Sequence, residues 1–548
     1  MKRINKTTRR AILVGIIIIS LFSVSNIAQS SDIYRIISKN LTVLGEIYKR
    51  ISISYVDKID TDKFFKAGIQ GMLNTLDPYT TYIEQEDKSQ LEIITDGKYG
   101  GVGMLLQYRN NIVTVAEPPF LGTPAARAGI REGDKIIKVD SLWTKDLGFS
   151  NTSAHIRGPA GSEVTLTIKR EGETGFLKFT LVREQIKVVD LTYAGEIKDG
   201  VAYLKLTRFS RNVGQDIAKA IHNIGQDNIN ALILDLRSNP GGMLKSAVDV
   251  ADLFLPKGKV IVTTKGRVKQ SNRKFVSFSD PVYGEKPLVI LVNGLSASAS
   301  EIVAGAIQDH DRGVVIGDTT FGKGLVQTLF PMSREAALKI TTAKYYTPSG
   351  RCIQKRHYSS WEKTDSDSTK HFYTDSNRQV DAGGGIAPDV YVAPRLISDY
   401  TVELRRKSMF FNFAVHYANT VKEINPDVKI TPEIISSFKD YLKQKSFVYE
   451  MPVERDLKAL RKRALSDKLG TELISKIDDL NKAIDNSKDK LFDASLNDIK
   501  LILRQELSSK FFGTKKSIEL AISQDLAVQR ALEILEDNKK YESILNHK

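Results

Sequence analysis

Two short apolar runs constrain this chain more than any other feature. Ala231-Leu-Ile-Leu-Asp-Leu236 and Leu288-Val-Ile-Leu-Val292 are too short for helices, and each leads into a polar turn containing glycine. Such runs read as buried strands. Val201–Lys205 reads as a further strand, and residues 213–224, 246–254 and 298–309 have helical spacing. Strands alternating with helices predict a layered α/β core, here over residues 187–395.

The rest of the chain has different textures. With 548 residues it is too long for one hydrophobic core, so roughly two to four domains are expected. Residues 30–90 are mostly helical in pattern, with Ile36, Ile37, Leu41, Leu44, Ile47 and Tyr48 at helical spacing until Asp77-Pro78-Tyr79 interrupts. Residues 91–186 contain short alternating strands such as Lys135–Val139 and Glu163–Lys169, which predict a compact β-rich module. Residues 396–548 are charged and helical.

The N-terminus addresses the compartment. Lys2, Arg3, Lys6, Arg9 and Arg10 precede the apolar run Ala11 to Val24. A basic segment followed by an apolar stretch of this length predicts export, with residues 1–29 as a signal peptide or N-terminal membrane anchor. The expected location is periplasmic or in the cell envelope. Cys352 is the only cysteine, which excludes an intrachain disulfide and a cysteine-rich metal site. The seven histidines lack the spacing of a zinc peptidase, and no cofactor is expected. The net charge is +15, but the basic residues are spread along the chain without an aromatic-interleaved block, which argues against a nucleic-acid partner.

Three segments carry chemistry. In the first, the run Leu288–Val292 is followed by Asn-Gly-Leu-Ser-Ala and then Ser298. A serine at a helix start sits where unpaired N–H groups and the helix dipole favour developing negative charge, as acyl transfer requires. Ser298 and Glu301 also spell a helix-capping box, and both readings stand at this level. The second segment, Gly317 to Gln327, nearly matches a phosphate-binding loop. Gly324 occupies the place of the hydroxyl residue and a strand follows instead of a helix, so that reading fails. Lys323 is then either a solvated lysine on a glycine turn or the base of a Ser–Lys dyad. A base must be neutral, which desolvation promotes, and Phe321, Leu325 and Val326 are the apolar neighbours. Gln327 is placed to orient the lysine. The third segment, Asp235-Leu-Arg-Ser-Asn-Pro-Gly241-Gly242, ends a strand in a glycine turn. It is either an ordinary turn or the source of an N–H that joins that of Ala299 in an oxyanion hole.

Taken together, Leu234-Asp-Leu-Arg-Ser-Asn-Pro-Gly-Gly242, Ser296-Ala-Ser-Ala-Ser-Glu-Ile302 and Thr320-Phe-Gly-Lys-Gly-Leu-Val-Gln327 resemble the carboxyl-terminal processing (tail-specific) serine peptidases. The resemblance covers roughly residues 35–395. It implies Ser298 as nucleophile, Lys323 as base, Gln327 as the lysine's partner, and the N–H groups of Gly242 and Ala299 as the oxyanion hole. It further implies a multidomain α/β chain: a crotonase-like layered peptidase core, an inserted PDZ domain and flanking helical segments. Tyr99, Gly100, Gly101, Val102 and Gly103 then look like the loop that receives a peptide's terminal carboxylate. Arg157 looks like the residue that couples PDZ position to the active site. The expected partners are proteins or peptides with free C-termini, besides membrane association through the N-terminus and an oligomer or adaptor through the helical ends. A non-catalytic peptide receptor and an acyl-CoA enzyme on a similar core are the rival readings.

Overall fold

The computed structural model describes residues 32–84, 97–109, 111–332, 336–355, 371–421, 423–488 and 490–546. The expected signal segment, residues 1–29, lies outside them. The chain divides into two compact units, Met1–Tyr82 and Ile83–Lys548. In the first, residues 32–54 are helical and are followed by α1 (Thr61–Leu73). Asp60 caps α1 by accepting from the Asp62 and Lys63 N–H groups. Tyr48 ties the two helices, its ring stacked 5.7 Å from that of Phe64 and its hydroxyl donating to the Thr61 carbonyl.

The second unit begins with the β-rich module. β1 (Lys98–Gly101) leads through a loop to β2 (Leu106–Arg109) and β3 (Ile112–Val115). Then come β4 (Lys135–Val139), α2 (Thr144–Ile156), β5 (Glu163–Lys169), β6 (Phe176–Val182) and β7 (Glu184–Lys187). The main sheet runs β2-β3-β4-β5-β6, and β1 pairs separately with β7. β2 is therefore an edge strand, and α2 faces it through the Tyr108–Phe149 ring pair at 6.2 Å.

The core follows. Its strands are β8 (Leu191–Lys198), β9 (Val201–Leu206), β10 (Ala231–Asp235), β11 (Val260–Lys265), β12 (Arg273–Val276), β13 (Leu288–Val292), β14 (Val314–Gly317), β15 (Leu325–Pro331), β16 (Ala337–Tyr346) and β17 (Val390–Tyr391). Its helices are α3 (Val213–Ile224), α4 (Leu244–Asp252) and α5 (Ala299–Asp309). The central sheet has the order β8-β9-β10-β13-β14-β17 and is parallel except for the β8–β9 pair. A second sheet pairs β15 with β16, β16 with β11 and β11 with β12.

The two faces of the central sheet are covered from different parts of the chain. Leu232, Leu234, Leu288, Ile290 and Val315 pack with α3, α4 and α5. Ile233, Val289, Leu291, Val314 and Ile316 point the other way, as the period of two requires. Their cover is C-terminal. After α6 (Asp399–Arg406), α7 (Met409–Thr420), α8 (Pro432–Gln444), α9 (Pro452–Ser466), α10 (Thr471–Lys488) and α11 (Leu496–Ile522), the chain returns as α12 (Leu526–Leu535) and α13 (Asn538–Leu545). Ala527, Val528, Ala531, Ile534 and Leu545 close that face. The Tyr541 hydroxyl donates to the Leu288 carbonyl and accepts from the Leu288 N–H at the start of β13.

The helices before this return form their own core around Phe410, Phe413, Phe438, Ile499 and Leu503. They also hold the β-rich module. The Arg109 guanidinium lies 3.7 Å from the centre of the Phe411 ring, and Lys510 pairs with Glu132 at 3.5 Å. Burial raises the pKa of Glu132 and of nearby Glu506.

This packing predicts unequal effects along α12. Ile534→Ala, at a side chain that is 0% exposed, should cost about 2–5 kcal/mol in denaturant unfolding. Leu526→Ala, at a side chain that is 57% exposed, should stay within about 0.5 kcal/mol. Equal effects would contradict a core face made by this helix.

Candidate active site

β13 ends at Val292, and the loop to α5 carries Ser298 as the residue before the helix. Its backbone has φ 57° and ψ −110°, a conformation that costs a non-glycine residue about 1–3 kcal/mol and concentrates at functional sites. The Glu301 N–H donates to the Ser298 carbonyl at 2.9 Å. Ser298 and Glu301 form a capping box, in which the Ser298 N–H donates to Glu301 Oε2 at 2.7 Å. The buried Tyr345 hydroxyl donates to the Ser298 carbonyl at 3.1 Å and fixes the turn from behind.

Glu301 does more than close a helix end. Oε2 also accepts from the Lys323 N–H at 3.0 Å. Oε1 accepts from the Gly322 N–H at 2.7 Å and from the Thr320 hydroxyl at 2.6 Å. One fully buried carboxylate thus holds the backbones of Ser298 and Lys323 on a single oxygen. Burial pushes its pKa up to about 7, against the four hydrogen bonds that favour the ionised form.

The lysine loop is strapped on its other side. Gly324 N–H donates to Gln354 Oε1 at 2.7 Å, and Lys355 N–H to the Gly322 carbonyl at 3.0 Å. Gly322 has φ +84°, and a Cβ there would meet Lys355 at 2.7 Å. Lys323 itself is half-buried. Leu325 is buried, Val326 half-buried, and the Phe321 ring is 45% exposed. Gln327 lies in β15 just past a register shift, and its side chain donates to Thr341 Oγ1 at 3.3 Å.

The glycine turn meets the serine loop directly. The Ala297 N–H and the Ser300 hydroxyl both donate to the Asn239 carbonyl. Gly241 has φ +99°, and a Cβ on it would fall 2.9 Å from the Ala299 nitrogen. Phe209 forms a parallel bridge with Gly242, bonding to the Gly241 carbonyl and the Met243 N–H. In such a bridge the N–H of the opposed residue faces away. Among the described residues, neither the Gly242 nor the Ala299 N–H donates to a protein acceptor. Ala299 is buried, where unpaired N–H groups are rare, whereas Gly242 is exposed.

In the β-rich module, Tyr99 lies under Arg157, whose guanidinium is 5.4 Å from the ring centre. Gly100 packs against the Gly158 carbonyl, where a Cβ would stand at 2.0 Å. Val102 is buried, its carbonyl accepting from the Ala125 N–H, and Gly103 at φ +80° abuts Thr123. The loop opens onto the edge strand β2.

The arrangement has counterparts among known proteins. The family description Peptidase family S41 matches residues 200–359, and a PDZ domain description matches residues 121–170. Descriptions of the N-terminal domain of the activating protease CtpB and of the C-terminal helical domain of probable PDZ-proteases match residues 20–87 and 400–535. The chain is 41% identical over 320 residues to the carboxy-terminal-processing protease of Bartonella bacilliformis, covering 58% of this chain and 73% of that one. It is 31% identical over 370 residues to the carboxy-terminal processing protease CtpA of Bacillus subtilis, covering 67% and 78%. A solved photosystem II D1 C-terminal processing protease shares 25% identity over 64% of this chain and 93% of that one, with a TM-score of 0.35.

The class defined is a serine peptidase carrying a PDZ domain and a helical C-terminal domain. Within that class, the chain belongs to peptidase family S41, with the carboxy-terminal processing proteases as its relatives.

Glu301 generates a pH prediction. Protonation would turn one of its accepting oxygens into a donor, so cleavage should fall as pH drops through about 7. Stability should move oppositely. A carboxyl pKa raised from 4.5 to about 7 by folding makes the ionised form costly, so stability declines as pH rises across that interval. Glu301→Gln should remove that decline in thermal melts. It should also lower kcat by about 100-fold, because an amide NH2 would face N–H donors.

Proposed function

We propose that this protein is an endopeptidase that cuts exported proteins near their C-termini through a Ser298–Lys323 dyad. The observation that carries the reading is the shared acceptor: the Ser298 and Lys323 N–H groups both donate to Glu301 Oε2. Lys323 takes the proton of the Ser298 hydroxyl as the oxygen attacks the scissile carbonyl. The N–H groups of Gly242 and Ala299 stabilise the resulting oxyanion, a contribution of about 3–4 kcal/mol for each donor. The leaving amine departs with a proton, and water releases the acyl group from Ser298. Gln327 orients the lysine from the adjoining strand.

The substrate's free C-terminus binds the PDZ module. Its carboxylate sits in the Tyr99–Gly103 loop and its backbone extends the sheet at β2. Arg157 relays PDZ position to the peptidase. It feels the charge of Arg208, next to Phe209, whose backbone bridges Gly242. The core is of the crotonase-like kind, bounded at 187 and 395 by the PDZ module and the helical region. The N-terminal segment directs the chain to the cell envelope.

The test is cleavage of an unfolded protein with an apolar C-terminal tail, followed by mass spectrometry. Ser298→Ala and Lys323→Ala should each lose at least about 1,000-fold in rate while circular dichroism shows a folded chain. The rate of wild type should rise with pH as the lysine is deprotonated. Cleavage by Ser298→Ala at the wild-type rate would refute the assignment. An inert wild type that still binds the tail would favour a peptide receptor.

A further inference from the structure

The glycine turn is anchored from a second direction, by a residue that lies 288 positions away in the chain. Asp235 ends β10, and Arg237 begins the turn that contains Gly241 and Gly242. The Arg237 backbone N–H and Nε both donate to Asp235 Oδ1, at 2.9 and 3.0 Å, and Nη2 donates to Oδ2 at 2.7 Å. The remaining nitrogen, Nη1, bonds both oxygens of Asp525 at 2.8 Å. Asp235 is fully buried and also receives the Tyr203 hydroxyl, with Lys205 Nζ at 3.8 Å. The guanidinium is therefore fixed between two carboxylates, one from the catalytic sheet and one from the residue preceding α12.

The helix does not need this bond. Asp525 already caps α12, accepting from the Ala527 and Val528 N–H groups at 3.0 and 3.1 Å. What the bond adds lies on the turn side. Ser238, the next residue, is held left-handed at φ 60° with its N–H on the Asn293 side chain. From there the backbone runs through Asn239 to the Gly242 N–H. A planar guanidinium gripped at both ends leaves this stretch little freedom to rotate away from Ala299.

We propose that Asp525 is a positioning residue for cleavage: through Arg237 it holds the Gly242 turn in register with the Ser298 loop. This rests on the oxyanion role given to Gly242 and Ala299. The return of the helical region to the sheet is then part of the catalytic apparatus as well as a cover for the core.

Three full-length variants test it on an unfolded tail substrate, with kcat and KM measured separately and thermal melts alongside. Asp525→Ser keeps a capping hydroxyl but is too short to grip the guanidinium. Its kcat should fall about tenfold, with KM and melting temperature unchanged. Asp525→Asn caps equally well and offers one neutral acceptor, so it should fall between Asp525→Ser and wild type. Ser298→Ala reports separately on the site. A Ser298→Ala chain that still cuts overturns the site reading and this proposal with it. An inert Ser298→Ala beside a fully active Asp525→Ser overturns the positioning role alone. A kcat loss that only tracks a lower melting temperature, or one that appears in KM instead, also overturns it.

Discussion

A single carboxylate ties together the two loops that carry Ser298 and Lys323. Glu301 is 0% exposed and accepts four hydrogen bonds, three of them from backbone N–H groups on two separate loops. Backbone donors cannot be substituted away, so the burden of specificity falls on the acceptor. An isolated ion at such depth would be prohibitively costly, and four donors are what offset the desolvation. The raised pKa records how close that balance is. The strained Ser298 backbone fits the same picture: a local conformation held in place because surrounding bonds over-determine it.

Much of the core was legible because it obeys short-range rules. The strands at Lys135–Val139, Glu163–Lys169 and Leu288–Val292 and the helix at Val213–Ile224 fall where their periodicity predicts. The glycine turns were legible too, since Gly241 and Gly322 occupy positive φ with backbone at close range. The larger role of Glu301 was half visible. Its bond to Ser298 is a three-residue pattern, whereas its bonds to Thr320, Gly322 and Lys323 form only once the sheet has assembled. The partnership of Arg237 with Asp525 leaves no local trace. The one available signal was the low charge of Leu526–Leu535 within an otherwise charged region, which marks a face that must be buried.

The PDZ module meets the rest of the chain at two places of different character. On the peptidase side Arg157 stands near a like charge, Arg208, so this pair repels and does not itself fasten the module. On the helical side it is seated by a cation over an aromatic ring and by buried charges, with Glu132 facing Lys510 and Glu506 facing Arg109. Buried charges discriminate strongly between a mated and a parted interface, since each loses its partner on separation. The Glu132 and Glu506 carboxylates, both raised by burial, make that contact the more sensitive to its exact fit.

The return of α12 and α13 to the central sheet has a consequence for how the protein is made. A ribosome delivers the chain from its N-terminus, so Ser298, Lys323 and the glycine turn all emerge long before the helices that cover the far face of their sheet. Until α12 and α13 have followed, Ile233, Val289, Leu291 and Ile316 lack much of the cover that their own chain provides. The central sheet is thus completed by helices that appear long after the strands they cover, and a product truncated before α12 would carry Ser298 and Lys323 on a half-built scaffold.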